Sequence, residues 1–153
     1  MLKLTKLADY AVILMCEMVR VDQRVCANVL AEGTGVPTPT VSKILNMLSR
    51  GQLLQSHRGL KGGFSLTRDA SEISVSEIVE IMDGPIALTI CTDGGICECE
   101  ASGCGLRPRW QIINKAVKGA LDDVKLSTLA APVFPGLVVP MGDLQETPRR
   151  ARQ

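Results

Sequence analysis

Four cysteines fall within fourteen consecutive residues, Cys91, Cys97, Cys99 and Cys104, and no other stretch restricts the possible folds as much. The segment holds Gly94, Gly95 and Gly103 and almost no apolar side chain. Burial alone therefore cannot order it. It also divides the helical pattern in two. One helix ends before it at Met82-Asp83-Gly84-Pro85, and another starts after it near Pro108. The thiols could tie the segment down by forming disulfides, or by binding a metal or an iron–sulfur cluster.

Compartment and spacing weigh on that choice. No apolar run approaches the ~20 residues of a membrane span. The first residues, with Lys3, Lys6 and Asp9, lack a signal-peptide core. The expectation is a cytoplasmic protein without membrane contact, where disulfides are disfavoured and thiols ligate metals. Structural zinc usually shows paired C-x(2–4)-C knuckles. The spacing here, C-x5-C-x-C-x4-C, lacks them. It favours an iron–sulfur cluster, with structural zinc and regulatory disulfides as the alternatives. Cys16 and Cys26 lie in or beside helix patterns and are expected to be buried, small apolar residues.

The 153 residues, 46% apolar and only 3% aromatic, suffice for a mainly aliphatic core. Net charge is +1 but unevenly placed. Residues 1–70 carry nine Lys/Arg against five Asp/Glu, and residues 71–125 carry five against nine. The basic front half suits a polyanionic partner.

In chain order, Leu7, Ala11, Leu14, Met15 and Met18 form one stripe of a helix over 5–20, with Thr5 as N-cap. A short helix over 26–32 should stop at Gly33. Thr38 then reads as the N-cap and Pro39 as the first residue of the next helix. Val41, Ile44, Leu45 and Leu48 form its apolar stripe. Its other face carries Pro39, Lys43, Asn46 and Arg50, flanked by Thr40 and Ser42. Two short helices around a glycine turn make a helix-turn-helix. Strands over 53–56 and 64–67 would close a basic, glycine-rich hairpin containing His57, Arg58 and Lys61. Its glycines would let the backbone approach a phosphate. His57, the only histidine, reads as a surface or phosphate-adjacent residue rather than a ligand.

The predicted fold is thus mainly α. It comprises a winged helix-turn-helix domain with a two-stranded wing over 1–84, a cysteine-rich cluster loop over 85–108, a long dimerisation helix over 109–126 and a flexible tail over 127–153. The partner is double-stranded DNA. Thr38, Thr40, Ser42, Lys43 and Asn46 should face base edges, while Arg58 and Lys61 meet phosphates near the wing. Ser74-Val75-Ser76-Glu77 is a capping box that opens the helix before the cysteines. In the last helix Ile113, Ala116, Val117, Ala120, Leu121 and Val124 form a stripe that needs a partner surface. A second copy of the chain is the simplest. No phosphate loop, acid/base pair or nucleophile–histidine pair points to an enzyme.

Four motifs resemble the IscR/NsrR-type winged-helix regulators. They are Leu4-Thr5-Lys6-Leu7-Ala8-Asp9-Tyr10-Ala11-Val12, Val36-Pro37-Thr38-Pro39-Thr40-Val41-Ser42-Lys43-Ile44-Leu45, Arg58-Gly59-Leu60-Lys61-Gly62-Gly63-Phe64 and Ile73-Ser74-Val75-Ser76-Glu77-Ile78-Val79-Glu80. They occur in the family's order over about residues 1–125, and the chain is most similar to regulators of the SUF iron–sulfur assembly system. The resemblance implies homodimers that repress from palindromic operators and carry a 2Fe–2S or 4Fe–4S cluster. By position, Cys91, Cys97 and Cys104 resemble the family's three cysteine ligands. Cys91, Cys99 and Cys104 match the spacing of its iron-responsive branch instead. The histidine that the iron–sulfur biogenesis branch places after the last cysteine is Arg107 here. Asp9 aligns with an acidic ligand of the nitric-oxide-sensing branch. The candidate ligand sets are all four cysteines, Asp9 with three of them, or cysteines completed by another donor such as water or a small thiol.

Overall fold

The structure is a computed structural model that describes residues 3–59, 62–90, 92 and 105–132. Helix α1, Lys6–Val21, is its central element. The Thr5 hydroxyl accepts the Ala8 N–H at 3.2 Å and starts it. Ala8, Ala11, Leu14, Met15 and Met18 are buried along one face, and Leu7 is half-buried beside them. The other helices of the front half, the wing and the short helix Leu126–Ala130 pack around this stripe.

Helix α2, Ala27–Thr34, runs through Gly33 rather than stopping there. Gly35, at φ 72°, supplies the left-handed cap. The buried Thr34 hydroxyl bonds back to the Leu30 carbonyl at 2.6 Å and completes the last turn. Helix α3, Thr38–Arg50, begins one residue earlier than expected, with Pro37 and not Thr38 as its N-cap. The Pro37 carbonyl accepts the Val41 N–H at 3.0 Å, so Thr38 already lies in the first turn. Pro39 still falls where a missing N–H leaves no bond unmade. Val41, Ile44, Leu45 and Leu48 are fully buried, as the stripe predicts.

Strands β1, Leu54–His57, and β2, Gly63–Leu66, pair antiparallel from Leu54 opposite Leu66 to His57 opposite Gly63. Val25 adds a third edge, exchanging hydrogen bonds of 3.1 and 2.9 Å with Phe64. A Cβ on Gly63 would lie 2.7 Å from the Val25 carbonyl oxygen, and one on Gly62 2.7 Å from that of His57. These two glycines therefore permit the wing's own close packing.

The capping box forms at Ser74, opening α4, Val75–Asp83. Helix α5, Arg107–Asp123, is followed by α6, Leu126–Ala130. Two expectations change here. Val124 lies past the end of α5 in extended conformation, and its carbonyl accepts the Val75 N–H at 3.0 Å. It is therefore no continuation of the α5 stripe. The chain after 126 does not begin as a free tail either. The Leu126 N–H bonds the Ile73 carbonyl at 2.8 Å, and Leu126 and Ala130 are buried. The core is one aliphatic cluster that joins α1, α3, α4, the base of the wing and Leu126.

Candidate nucleic-acid interface and cysteine anchor

The buried stripe of α3 turns its opposite face outward. Thr38, Pro39, Lys43, Asn46 and Arg50 are exposed, and Thr40 and Ser42 are half-buried at its margins. Among the described residues no hydrogen bond or ion pair engages Lys43, Asn46 or Arg50. These donors are available to an external ligand. The wing lies next in the chain. Arg58 is exposed, and a Cβ on Gly59, at φ 99°, would meet nothing within 4 Å among the described residues. Lys61 lies outside the described residues. His57 is half-buried, with Nε2 2.9 Å from the Ser65 hydroxyl, and so belongs to the wing's internal bonding.

The cysteine stretch departs from one rooted end and returns at another, although Cys91, Cys97, Cys99 and Cys104 themselves lie outside the described residues. At the end of α4 the Asp83 carboxylate accepts from the Thr5 N–H at 3.1 Å and from the Thr5 hydroxyl at 2.5 Å. That pair sets the start of α1 beside the root of the stretch. Asp9, one turn along α1, is exposed and borders an open depression with Lys3, Leu4, Thr5 and Lys6. Further on, the Asn114 side chain of α5 holds residues 86–88. Its Nδ2 donates to the Ile86 carbonyl at 2.8 Å and its Oδ1 accepts the Leu88 N–H at 2.9 Å. Thr89 and Thr92 are linked in turn, the Thr92 hydroxyl donating to the Thr89 carbonyl at 2.8 Å.

Helix α5 meets its own subunit through a polar stripe. Asn114 binds residues 86–88, Lys118 donates to Glu80 at 2.7 Å, and the Asp122 carboxylate accepts from the Ser76 hydroxyl. Glu80 holds the Lys118 ammonium pKa above its ordinary value. In the sequence this stripe is legible only as a fourfold spacing of polar residues, i, i+4, i+8, interleaved with the apolar ones. The apolar residues face elsewhere. Ile113, Ala116 and Ala120 are exposed, Val117 and Leu121 are half-buried, and no residue of α5 is fully buried. Leu106 and Trp110 are exposed as well.

The two remaining cysteines differ. Cys16 is half-buried on α1, and burial pushes its thiol pKa up. Cys26 is exposed at the N-cap of α2, which corrects the expectation of burial there. Position 26 precedes the first helical turn, where the chain has just paired with the wing through Val25 and faces outward.

Similarity to known proteins agrees with this architecture. The HTH-type transcriptional regulator Rv1287 of Mycobacterium tuberculosis is 27% identical over 146 residues, covering 93% of this chain and 89% of that protein. The HTH-type transcriptional regulator IscR of Klebsiella pneumoniae is 27% identical over 100 residues, covering 65% of this chain and 61% of that protein. CymR, the global cysteine regulator of B. subtilis, has a similar solved structure, with a TM-score of 0.68 and 25% identity over 85% of this chain and 97% of that one. Residues 4–132 match the Rrf2 family, described as iron-dependent transcriptional regulators. With its winged helix, its outward-facing recognition helix and that match over most of its length, this chain belongs to the Rrf2 family of DNA-binding transcriptional regulators.

Proposed function

We propose that this regulator is a homodimeric repressor of iron–sulfur cluster assembly genes, the SUF system, with its DNA affinity set by an iron–sulfur cluster on the cysteine stretch. The observation that carries the reading is the setting of that stretch. It runs from the end of α4, which packs on the DNA-reading unit, to the start of α5, whose apolar face is uncovered. The donor set fits such a group. Four thiols occupy fourteen residues between two anchored ends, and thiolate is the preferred donor for these clusters. Cys91, Cys97, Cys99 and Cys104 would hold it, or three of them with Asp9. When bound, the cluster, 2Fe–2S or 4Fe–4S, supplies a redox-active centre and a removable cross-link between the two ends.

The remaining roles belong to the chain itself. Thr38, Pro39, Thr40, Ser42, Lys43, Asn46 and Arg50 present donors and small surfaces to the major groove, and Arg58 and Lys61 contact phosphates. Ile113, Ala116, Val117, Ala120 and Leu121 of two copies pair across a two-fold axis. That places two recognition helices about 34–36 Å apart, one turn of a palindromic operator. Order in residues 91–104 fixes how α5 sits against α4 and thereby biases that separation.

The test is the visible absorption spectrum of protein purified without oxygen, with iron and sulfide assays. The reading expects a coloured protein containing both elements. Colourless protein holding zinc would replace it with a zinc-stabilised DNA-binding protein. Among coloured variants, loss of the cluster in Cys99→Ala with retention in Asp9→Ala expects all-cysteine ligation, and the reverse moves the fourth ligand to α1.

A further inference from the structure

Gly51 ends α3, yet its backbone does not call for a glycine. At φ −76° it lies outside the left-handed region, and the left-handed residue of this turn is Gln52, at φ 63°. The requirement is one of space. A Cβ on Gly51 would lie 2.4 Å from Ile81 Cδ1, 2.7 Å from Cγ1 and 3.1 Å from Cγ2. Carbons in ordinary contact sit about 3.5–4.0 Å apart. The half-buried Ile81 of α4 thus fills the notch that the absent side chain leaves at the end of α3. A β-branched side chain in a helix keeps strongly to one χ1 rotamer, so its branches do not swing aside. Helix α4 is held in place behind it. Ile78, Val79 and Met82 are buried, and the adjoining Glu80 accepts from Lys118 of α5 at 2.7 Å.

The notch lies where the helix passes into the wing. Arg50, on the outward face of α3, comes immediately before Gly51, and the buried Leu53 leads into β1 just after it. The joint is tightly fastened. The Gly51 N–H bonds the Met47 carbonyl at 2.9 Å, the Leu53 N–H bonds the Leu48 carbonyl at 3.0 Å, and the Thr67 hydroxyl bonds the Gln52 carbonyl at 2.7 Å. A displacement here is therefore passed to α3 and to the root of the wing together.

We propose that Ile81 is a positioning residue for DNA recognition. Seated on Gly51, it sets the pose of α3 against α4, and so which base edges the donors of α3 reach, without touching DNA itself. The inference rests on the reading of α3 as the base-reading helix and involves no bound group.

The test begins by letting full-length wild type select its preferred duplex from a random-sequence pool. Affinities for that duplex and for the unselected pool are then measured at one salt concentration. Five proteins are compared: wild type, Gly51→Ala, Ile81→Ala, the variant carrying both changes, and Lys43→Ala. Binding to the pool comes mainly from phosphate contacts and senses the pose of α3 least. Gly51→Ala and Ile81→Ala should each lose about tenfold on the selected duplex, on the order of one base contact, with pool affinity near that of wild type. In the doubly changed protein the methyl at position 51 occupies space vacated at position 81, so most of the loss should be regained. Such recovery marks a direct coupling between the two positions, which a general loss of stability does not produce. Losses that simply add, or equal losses on both DNAs, would overturn the proposal. If Gly51→Ala does not fold, Ile81→Ala decides, and full selectivity in it would overturn the proposal. Lys43→Ala separates this inference from the reading beneath it. Selective loss in Lys43→Ala but in neither Gly51→Ala nor Ile81→Ala removes the positioning role alone. Unchanged selectivity in Lys43→Ala overturns the reading of α3 and the positioning role with it.

Discussion

A single methyl group at position 63 would collide with the Val25 carbonyl 2.7 Å away, at a φ of 145° that L side chains rarely adopt. Gly63→Ala should therefore cost about 1–3 kcal/mol, read as a lowered midpoint in urea, and should loosen the wing. On α3, Lys43 is exposed and unengaged among the described residues. If it reads a base edge, Lys43→Ala should weaken operator binding by about 1–3 kcal/mol and relax sequence preference. Unchanged affinity and preference in an anisotropy titration would show that this face of α3 is turned away from DNA. The two lone cysteines give a third residue-scale test. Burial raises the Cys16 thiol pKa, so below about pH 9 that thiol is neutral both folded and unfolded. Above it the unfolded chain ionises first, and the native state loses stability as pH rises. Mapping of alkylated peptides from native protein should find Cys26 modified well before Cys16.

Among the elements, α4 shows how local chemistry supports a regulatory position. Burial opposes the charge on Glu77, but the Ser74 N–H, Arg68 and the Ser74 hydroxyl outweigh it and hold the carboxyl pKa below its ordinary value. The stability this contributes is present above the unfolded carboxyl pKa and is lost as pH falls through the lower, folded value. Glu77→Gln should flatten that acid limb in a melting series across pH 3–6. The capping box was legible because both partners lie within four residues, as was the α3 stripe, whose period decides its buried face. What local sequence could not show were events between distant segments. Val25 joins the wing by pairing with Phe64, 39 residues later in the chain. Leu126 closes the core through the Ile73 carbonyl, which turned the expected tail into α6. The start of α3 moved by one residue because Pro37, rather than Thr38, supplies the capping carbonyl.

At the scale of the molecule, α5 has two unlike faces. The polar one is satisfied by α4 and residues 86–88, and the apolar one has Ile112 at 70% and Ile113 at 46% exposure. A helix so divided is suited to being held by one subunit while pairing with another. A charge introduced by Ala116→Glu or Ala120→Glu should convert the proposed dimer to monomer in sedimentation. An intact dimer would place the two-fold contact elsewhere. In the proposed reading α5 is the element through which the cysteine stretch would reach the DNA-reading unit, since residues 84–106 join the end of α4 to the start of α5 in the chain. A bound group can shift that arrangement only by its differential affinity for the two states. The most direct measurement is operator binding by cluster-loaded and cluster-free protein, at one salt concentration, on a duplex from the promoter of the host's own iron–sulfur assembly genes. The loaded form should bind more tightly by roughly 1–3 kcal/mol, or about 5–150-fold; equal affinities for the two forms would contradict the account.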